Sequence, residues 1–284
     1  MGYALTDISV RLDGRDILHS VSCHLQEGKW ISLIGRTGAG KSTFAKVVKG
    51  LTPFYRGEYL HNGRPMPRDR QGRLKAVPQI GYVFQYPEQQ LFAATVKQEL
   101  GFALTMKGAS RTSVDQAIKA VMEQTGLPAG LLEQNPFQLS GGLKRRVAIA
   151  SVLIADPELL ILDEPAAGLD PGSRRELLSR LRSWQKEKQR TVLFISHQLE
   201  DVAEYSDEVI LCNEGRILGH MGVNELFLKR AELMEQAGLP LPEPVQLLRL
   251  VERLSGQRLE PASCREADIM ERVKAVWNSK GERA

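Results

Sequence analysis

The residues able to do chemistry begin with Gly35-Arg36-Thr37-Gly38-Ala39-Gly40-Lys41-Ser42-Thr43, which fits the pattern GxxxxGK[ST]. The apolar, strand-like run Trp30-Ile31-Ser32-Leu33-Ile34 precedes it, and the helix-compatible Thr43-Phe44-Ala45-Lys46-Val47-Val48 follows. That context is what a phosphate loop requires. Glycines let the backbone curl until successive N–H groups point inward at polyphosphate oxygens. The N-terminus of the next helix adds the positive end of its dipole. Lys41 would reach the β- and γ-phosphates of a nucleotide, and the Ser42 hydroxyl would ligate Mg²⁺.

Two downstream stretches say what could be done with that nucleotide. Leu159-Leu160-Ile161-Leu162-Asp163-Glu164 is an uninterrupted apolar run ending in two acids. A strand apolar on both faces belongs in the middle of a parallel sheet covered by helices, and such sheets bind ligands at their carboxyl ends. Asp163 would hold Mg²⁺, directly or through water, while Glu164 would orient and deprotonate an attacking water. Leu139-Ser140-Gly141-Gly142 leads into the helical Leu143-Lys144-Arg145-Arg146-Val147-Ala148-Ile149-Ala150. Ser140 is suited to capping that helix, whose first N–H groups are free to bind an anion. Lys144, Arg145 and Arg146 oppose the helix dipole unless an anion sits there. Arg145 and Arg146 serve as well for a solvated basic face.

Taken in order, these motifs resemble those of the ATP-binding-cassette (ABC) ATPases over residues 1 to about 220. The resemblance implies an α/β fold, a P-loop NTPase cassette with a mixed-sheet core and a helical subdomain. It implies ATP and Mg²⁺ as ligands, with Gly35 to Thr43 around the phosphates and Ser42, Gln85 and Asp163 at the metal. Glu164, Gln85 and His197 are the implied catalytic group, His197 following the strand-like Thr191-Val192-Leu193-Phe194-Ile195-Ser196. In that family two cassettes sandwich two ATP molecules, so Ser140, Gly141 and Gly142 would grip the nucleotide of a partner and Asp170 would cross the seam. Two positions depart from the pattern. Leu143 stands where the signature usually continues with glutamine, and Leu12 stands where many cassettes stack an aromatic ring on adenine, a contact commonly worth about 1–3 kcal/mol. Phe84-Gln85-Tyr86-Pro87-Glu88-Gln89-Gln90-Leu91-Phe92-Ala93-Ala94-Thr95-Val96 resembles the same stretch of energy-coupling factor (ECF) transporter ATPases, importers of vitamins, cobalt and nickel. That implies a homo- or heterodimer with a second ABC ATPase, a transmembrane T component and a substrate-binding S component. Glu88 is the candidate to meet arginines of the T component.

The elements that must position these residues follow from the pattern. The cassette spans 1–222, its helical subdomain covers about 86–155, and 223–284 form a helical extension that in ECF ATPases contributes to pairing. Tyr3 to Val10 reads as the first strand, Asn62-Gly63 and Asn213-Glu214-Gly215-Arg216 as tight turns, and Ser113 to Gly126 as a helix. The extension is broken by Gly238-Leu239-Pro240-Leu241-Pro242-Glu243-Pro244. Over 284 residues, 38 Lys and Arg against 34 acids leave a charge of +4, too mild to demand nucleic acid. No apolar run approaches the 18 or so residues of a membrane helix, and no secretory signal is evident. A peripheral place at the cytoplasmic face of the membrane is expected. Met1-Gly2-Tyr3-Ala4-Leu5-Thr6 fits a myristoylation pattern only formally, and Cys23, Cys212 and Cys264 lack metal or redox spacing. The alternatives are an ATPase of another ABC importer or exporter, a nucleic-acid-associated ABC ATPase, or a phosphate-loop kinase. Only one cassette is present and no long insertion separates Gln85 from Leu139, which disfavours the second, while the LSGG string disfavours the third.

Overall fold

The chain opens with a long hairpin, β1 (Gly2–Leu12) and β2 (Arg15–Gln26). Asp13 and Gly14 between them both take positive φ (48° and 75°), the two-residue turn whose twist matches that of the strands. The computed structural model describes residues 2–54, 56–70 and 74–281. After the hairpin come β3 (Trp30–Ile34), α1 (Lys41–Lys49), β4 (Arg56–His61) and β5 (Arg64–Pro65). Asn62 and Gly63, also at positive φ, join the last two as expected. β6 (Ile80–Val83) leads into a helical region of α2 (Val96–Met106), α3 (Arg111–Thr125) and α4 (Gly141–Leu153). β7 (Leu159–Asp163), α5 (Pro171–Lys188), β8 (Thr191–Ile195), α6 (Leu199–Tyr205), β9 (Glu208–Asn213) and β10 (Arg216–Gly222) follow. The chain then continues through α7 (Ala231–Gln236), α8 (Glu243–Ser255) and α9 (Glu266–Gly281).

The strands form two sheets. One is antiparallel, in the order β2-β1-β4-β5; the other runs β10-β9-β3-β8-β7-β6 and is parallel except for β10. The mixed core is therefore as expected. The separate antiparallel sheet was not legible, because it depends on β1 reaching past its own hairpin to pair with β4.

The central strands explain where the core sits. Every residue of β3, β7 and β8 is buried, so alternation along a strand sorts side chains between two apolar layers. Leu160, Leu162, Val192 and Phe194 join α4, α5 and α6 on one face. Leu159, Ile161, Leu193 and Ile195 meet α1 and the antiparallel sheet on the other. Phe44, Val47 and Val48 hold α1 there, each fully buried apolar side chain contributing about 1.5–3 kcal/mol. Met234, Val245, Leu248, Cys264 and Ile269 of the last segment belong to the same layer as Val202 and Ala203 of α6. Leu250, Leu254 and Trp277 are exposed. No helix among the described residues is long and apolar enough to cross a membrane.

Candidate active site

The loop between β3 and α1 is shaped by crowding from behind. Gly35 has φ 155°, and a Cβ there would lie 2.3 Å from the Cys212 carbonyl oxygen of β9. Gly40 takes the left-handed conformation at φ 93°, and its Cβ would stand 2.8 Å from Leu18 Cδ2 of β2. Only glycine fits either position without displacing a neighbouring element. No side chain caps α1, so the first N–H groups of the helix have no capping partner, an arrangement that suits an anion. Lys41 is buried and donates from Nζ to the Gly35 carbonyl (2.8 Å) and the Arg36 carbonyl (3.0 Å). Burial pulls its pKa down, and Glu164 is the chief group opposing that shift.

Opposite the loop, β6 and β7 are parallel neighbours, with Val83 level with Leu162, so the residues after each strand emerge at the same edge. Asp163 is buried at the end of β7 and accepts a hydrogen bond from the Tyr82 hydroxyl at 3.0 Å. Burial first, and then that carboxylate, push the Tyr82 phenol well above its usual pKa. Glu164 sits at φ 51°, in the left-handed region, with its N–H tied to the Ile195 carbonyl (3.0 Å). Its carboxylate meets Gln85 Nε2 at 3.4 Å on one side and His197 Nε2 at 3.1 Å on the other. Gln85, Glu164 and His197 line one cleft with Thr37, Gly38, Gly40, Lys41, Ser42 and Thr43. Ile17 of β2 lines it too, whereas Leu12 does not. Tyr82 and Ile17 escaped the sequence reading. Tyr82 reads as an ordinary strand residue, and Ile17 belongs to a hairpin whose place over the loop is set by long-range packing.

The signature residues lie elsewhere. Ser140, Gly141 and Gly142 start α4 and are absent from the lining of that cleft. Ser140 occupies the cap position, but its side chain makes no capping bond, contrary to expectation. Asp170 caps α5 instead, accepting from the N–H groups of Gly172 and Ser173 at 3.0 Å each. The Ser173 side-chain and backbone bonds hold its carboxyl below the ordinary range. Arg145 is not part of a solvated face. It is buried, grips Glu88 with Nε (3.1 Å) and Nη2 (2.9 Å), and donates from Nη1 to the Ala167 carbonyl. Burial alone would raise the Glu88 carboxyl, but the Arg145 fork outweighs it and holds the group below its ordinary value. Glu88, expected to face arginines of another subunit, is thus engaged within the chain. Arg146 pairs with Glu176 at 2.6 Å.

A glycine loop at a helix N-terminus, with strand-end acids flanked by Gln85 and His197, is the layout of a P-loop nucleotide site. The ABC transporter family profile matches residues 18–167. The chain is 38% identical over 232 residues to the energy-coupling factor transporter ATP-binding protein EcfA2 of Acetivibrio thermocellus, covering 82% of each chain. To EcfA2 of Bacillus subtilis it is 34% identical over 262 residues, covering 92% of this chain and 95% of the relative. The solved structure of cbiO1 from Clostridium perfringens, part of the ABC transporter complex cbiONQ, superimposes with TM-score 0.75. It is 31% identical, over 87% of this chain and 98% of that one. A dimeric ATP-binding cassette captured after hydrolysis with ADP and Pi shares the fold at TM-score 0.67 and 22% identity, over 78% of this chain and 98% of that one. The chain belongs to the ABC transporter ATPase family, in its energy-coupling factor branch.

Proposed function

We propose that this chain is the ATP-hydrolysing subunit of an ECF-type importer that powers uptake of a vitamin or transition-metal micronutrient. The observation that carries this reading is the convergence of Gln85, Glu164 and His197 on the Lys41 loop while Ser140 to Gly142 open elsewhere. One chain supplies the phosphate loop and the base of a site but not its signature. A second cassette, identical or related, completes it, with Asp170 near the seam. The N–H groups at the start of α1 and the Lys41 ammonium hold the phosphates. Glu164, its carboxylate oriented by Gln85 and His197, takes the proton of the attacking water.

Ser42, Gln85 and Asp163 suit Mg²⁺, which keeps several waters and draws other ligands from phosphate rather than from a dedicated protein cage. Held by these residues, the ion would supply neutralisation of the charge on the phosphates. The cassette, residues 1–222, would dock through the face beside Gln85 on a transmembrane T component at the cytoplasmic side of the membrane. An S component would choose the cargo, and the extension, 223–284, would help the two cassettes pair.

The test is Glu164→Gln in the purified protein. Loss of a positioned general base lowers kcat by about 10²–10⁴-fold. ATP binding should persist, and a nucleotide-bound dimer should accumulate in size-exclusion runs. Turnover at the wild-type rate would reject the assignment of Glu164.

A further inference from the structure

Gln85 and Glu164 must stay in register for water to be aligned between them, yet their own contact is weak. The Gln85 amide stands 3.4 Å from the Glu164 carboxylate in an exposed position. At that length and exposure water competes for both groups. The two residues leave neighbouring strands, so something beyond the sheet edge has to keep the diverging segments together.

The buried side chain that spans them is Arg145. Its Nε and Nη2 close a two-point pair on Glu88, which lies three residues after Gln85. Its Nη1 donates to the carbonyl of Ala167, three residues after Glu164. Both spans are short. Tyr86 is left-handed at φ 56°, and Pro87, its own φ fixed by its ring, is buried, so motion of Glu88 reaches Gln85 with little slack. On the other side the Ala167 N–H returns to the Glu164 carbonyl at 3.2 Å, closing a tight turn. The Tyr86 ring lies 6.0 Å from the guanidinium carbon and shields the pair on one side. A desolvated fork on a carboxylate is far stiffer than an exposed amide contact, because breaking it strands a buried charge.

We infer that Arg145 is a positioning residue, locking the Gln85 segment to the Glu164 loop so that both shift as one body relative to the phosphate loop. Arg145 lies in α4, which begins with the signature residues, so the lock also fixes where Ser140 to Gly142 stand relative to that body. A partner pressing on the Gln85 segment would thereby move Glu164 as well. Lysine cannot replace the arginine, since a single ammonium cannot hold the carboxylate at two points and the carbonyl together. The inference rests on the ATPase reading of the cleft.

It is tested in the full-length protein with Arg145→Lys and with the double variant Glu88→Gln/Arg145→Met, which removes both charges at once and leaves no buried ion unpaired. Melting temperature, affinity for a fluorescent ATP analogue, and kcat and KM for ATP are measured on each. The double variant should melt and bind nucleotide as the wild type does, while kcat falls about 10–100-fold, the scale of a misplacement of about 1 Å. Arg145→Lys should fall between the two. A wild-type kcat in the double variant overturns the inference. So does a loss of kcat that merely tracks lost stability or lost nucleotide affinity in both variants, since the pair is then only a brace of the fold. If the wild-type chain hydrolyses no ATP even when paired with the cassette that completes its site, the ATPase reading falls and takes the inference with it. An active wild type with unaffected variants sinks the inference alone.

Discussion

Replacing Asp201 by asparagine should make the protein more stable at neutral pH, because burial penalises its charged carboxylate. Asp201 lies in α6, buried beside a cavity of about 160 Å³ that Glu164, His197 and Arg174 also line. Burial raises its carboxyl to about 6 from an ordinary 3.8; Arg174, at 3.8 Å, opposes the shift and Glu200 adds to it. A folded-state pKa above the unfolded one means that folding takes up a proton between those two values. Stability therefore declines as pH climbs through that window, and the full penalty applies above it. At 1.36 kcal/mol per unit the penalty is about 3 kcal/mol. An amide of the same shape escapes it, so Asp201→Asn should raise the melting temperature by about 6 °C near pH 7.5. Near pH 4, where the native carboxyl is already protonated, the two proteins should melt together. Scanning calorimetry over that range is the assay. An asparagine variant less stable at pH 7.5 would refute the reasoning, because the ion pair with Arg174 would then outweigh the cost of burial.

Two other changes probe the phosphate loop. Lys41→Ala removes a buried ammonium and, on the proposed reading, its charge-assisted contacts to phosphate, so equilibrium binding of a fluorescent ATP analogue should weaken about 100-fold. Gly35→Ala drives a Cβ against the Cys212 carbonyl at 2.3 Å and should cost about 2 kcal/mol or more in thermal unfolding, with weaker nucleotide binding alongside.

What was legible in the sequence was local. The runs at 30–34, 159–163 and 191–195 are apolar at every position or nearly so, and each is a central strand buried on both faces. Asn62-Gly63 and Glu214-Gly215 announce their turns because glycine and its neighbour both enter the left-handed region there. The order in which strands pair was not legible, since nothing in β1 says that β4 is its second partner. The candidate site divides in the same way. The glycine loop and the strand-end acids carry their chemistry in their spacing. Arg145 read as either an anion-binding cation or part of a solvated face because its true partner, Glu88, is 57 residues away along the chain. Ser140 has the side chain of a cap without making the bond, and Glu88 has the charge of a docking residue with its partner already in place.

The last segment of the chain is not a detachable tail. Cys264 is wholly enclosed, its N–H held by Asn224 at 2.9 Å and its sulfur 3.7 Å from the Ala203 carbonyl, while the Glu243 N–H reaches Glu200 at 3.1 Å. These contacts grip the short helix that begins just after His197. Trimming the protein near β10 would strip the cover from Val202 and Ala203 and loosen the footing of that histidine, so such a fragment would be greasy and short of a firm wall to the cleft that His197 lines.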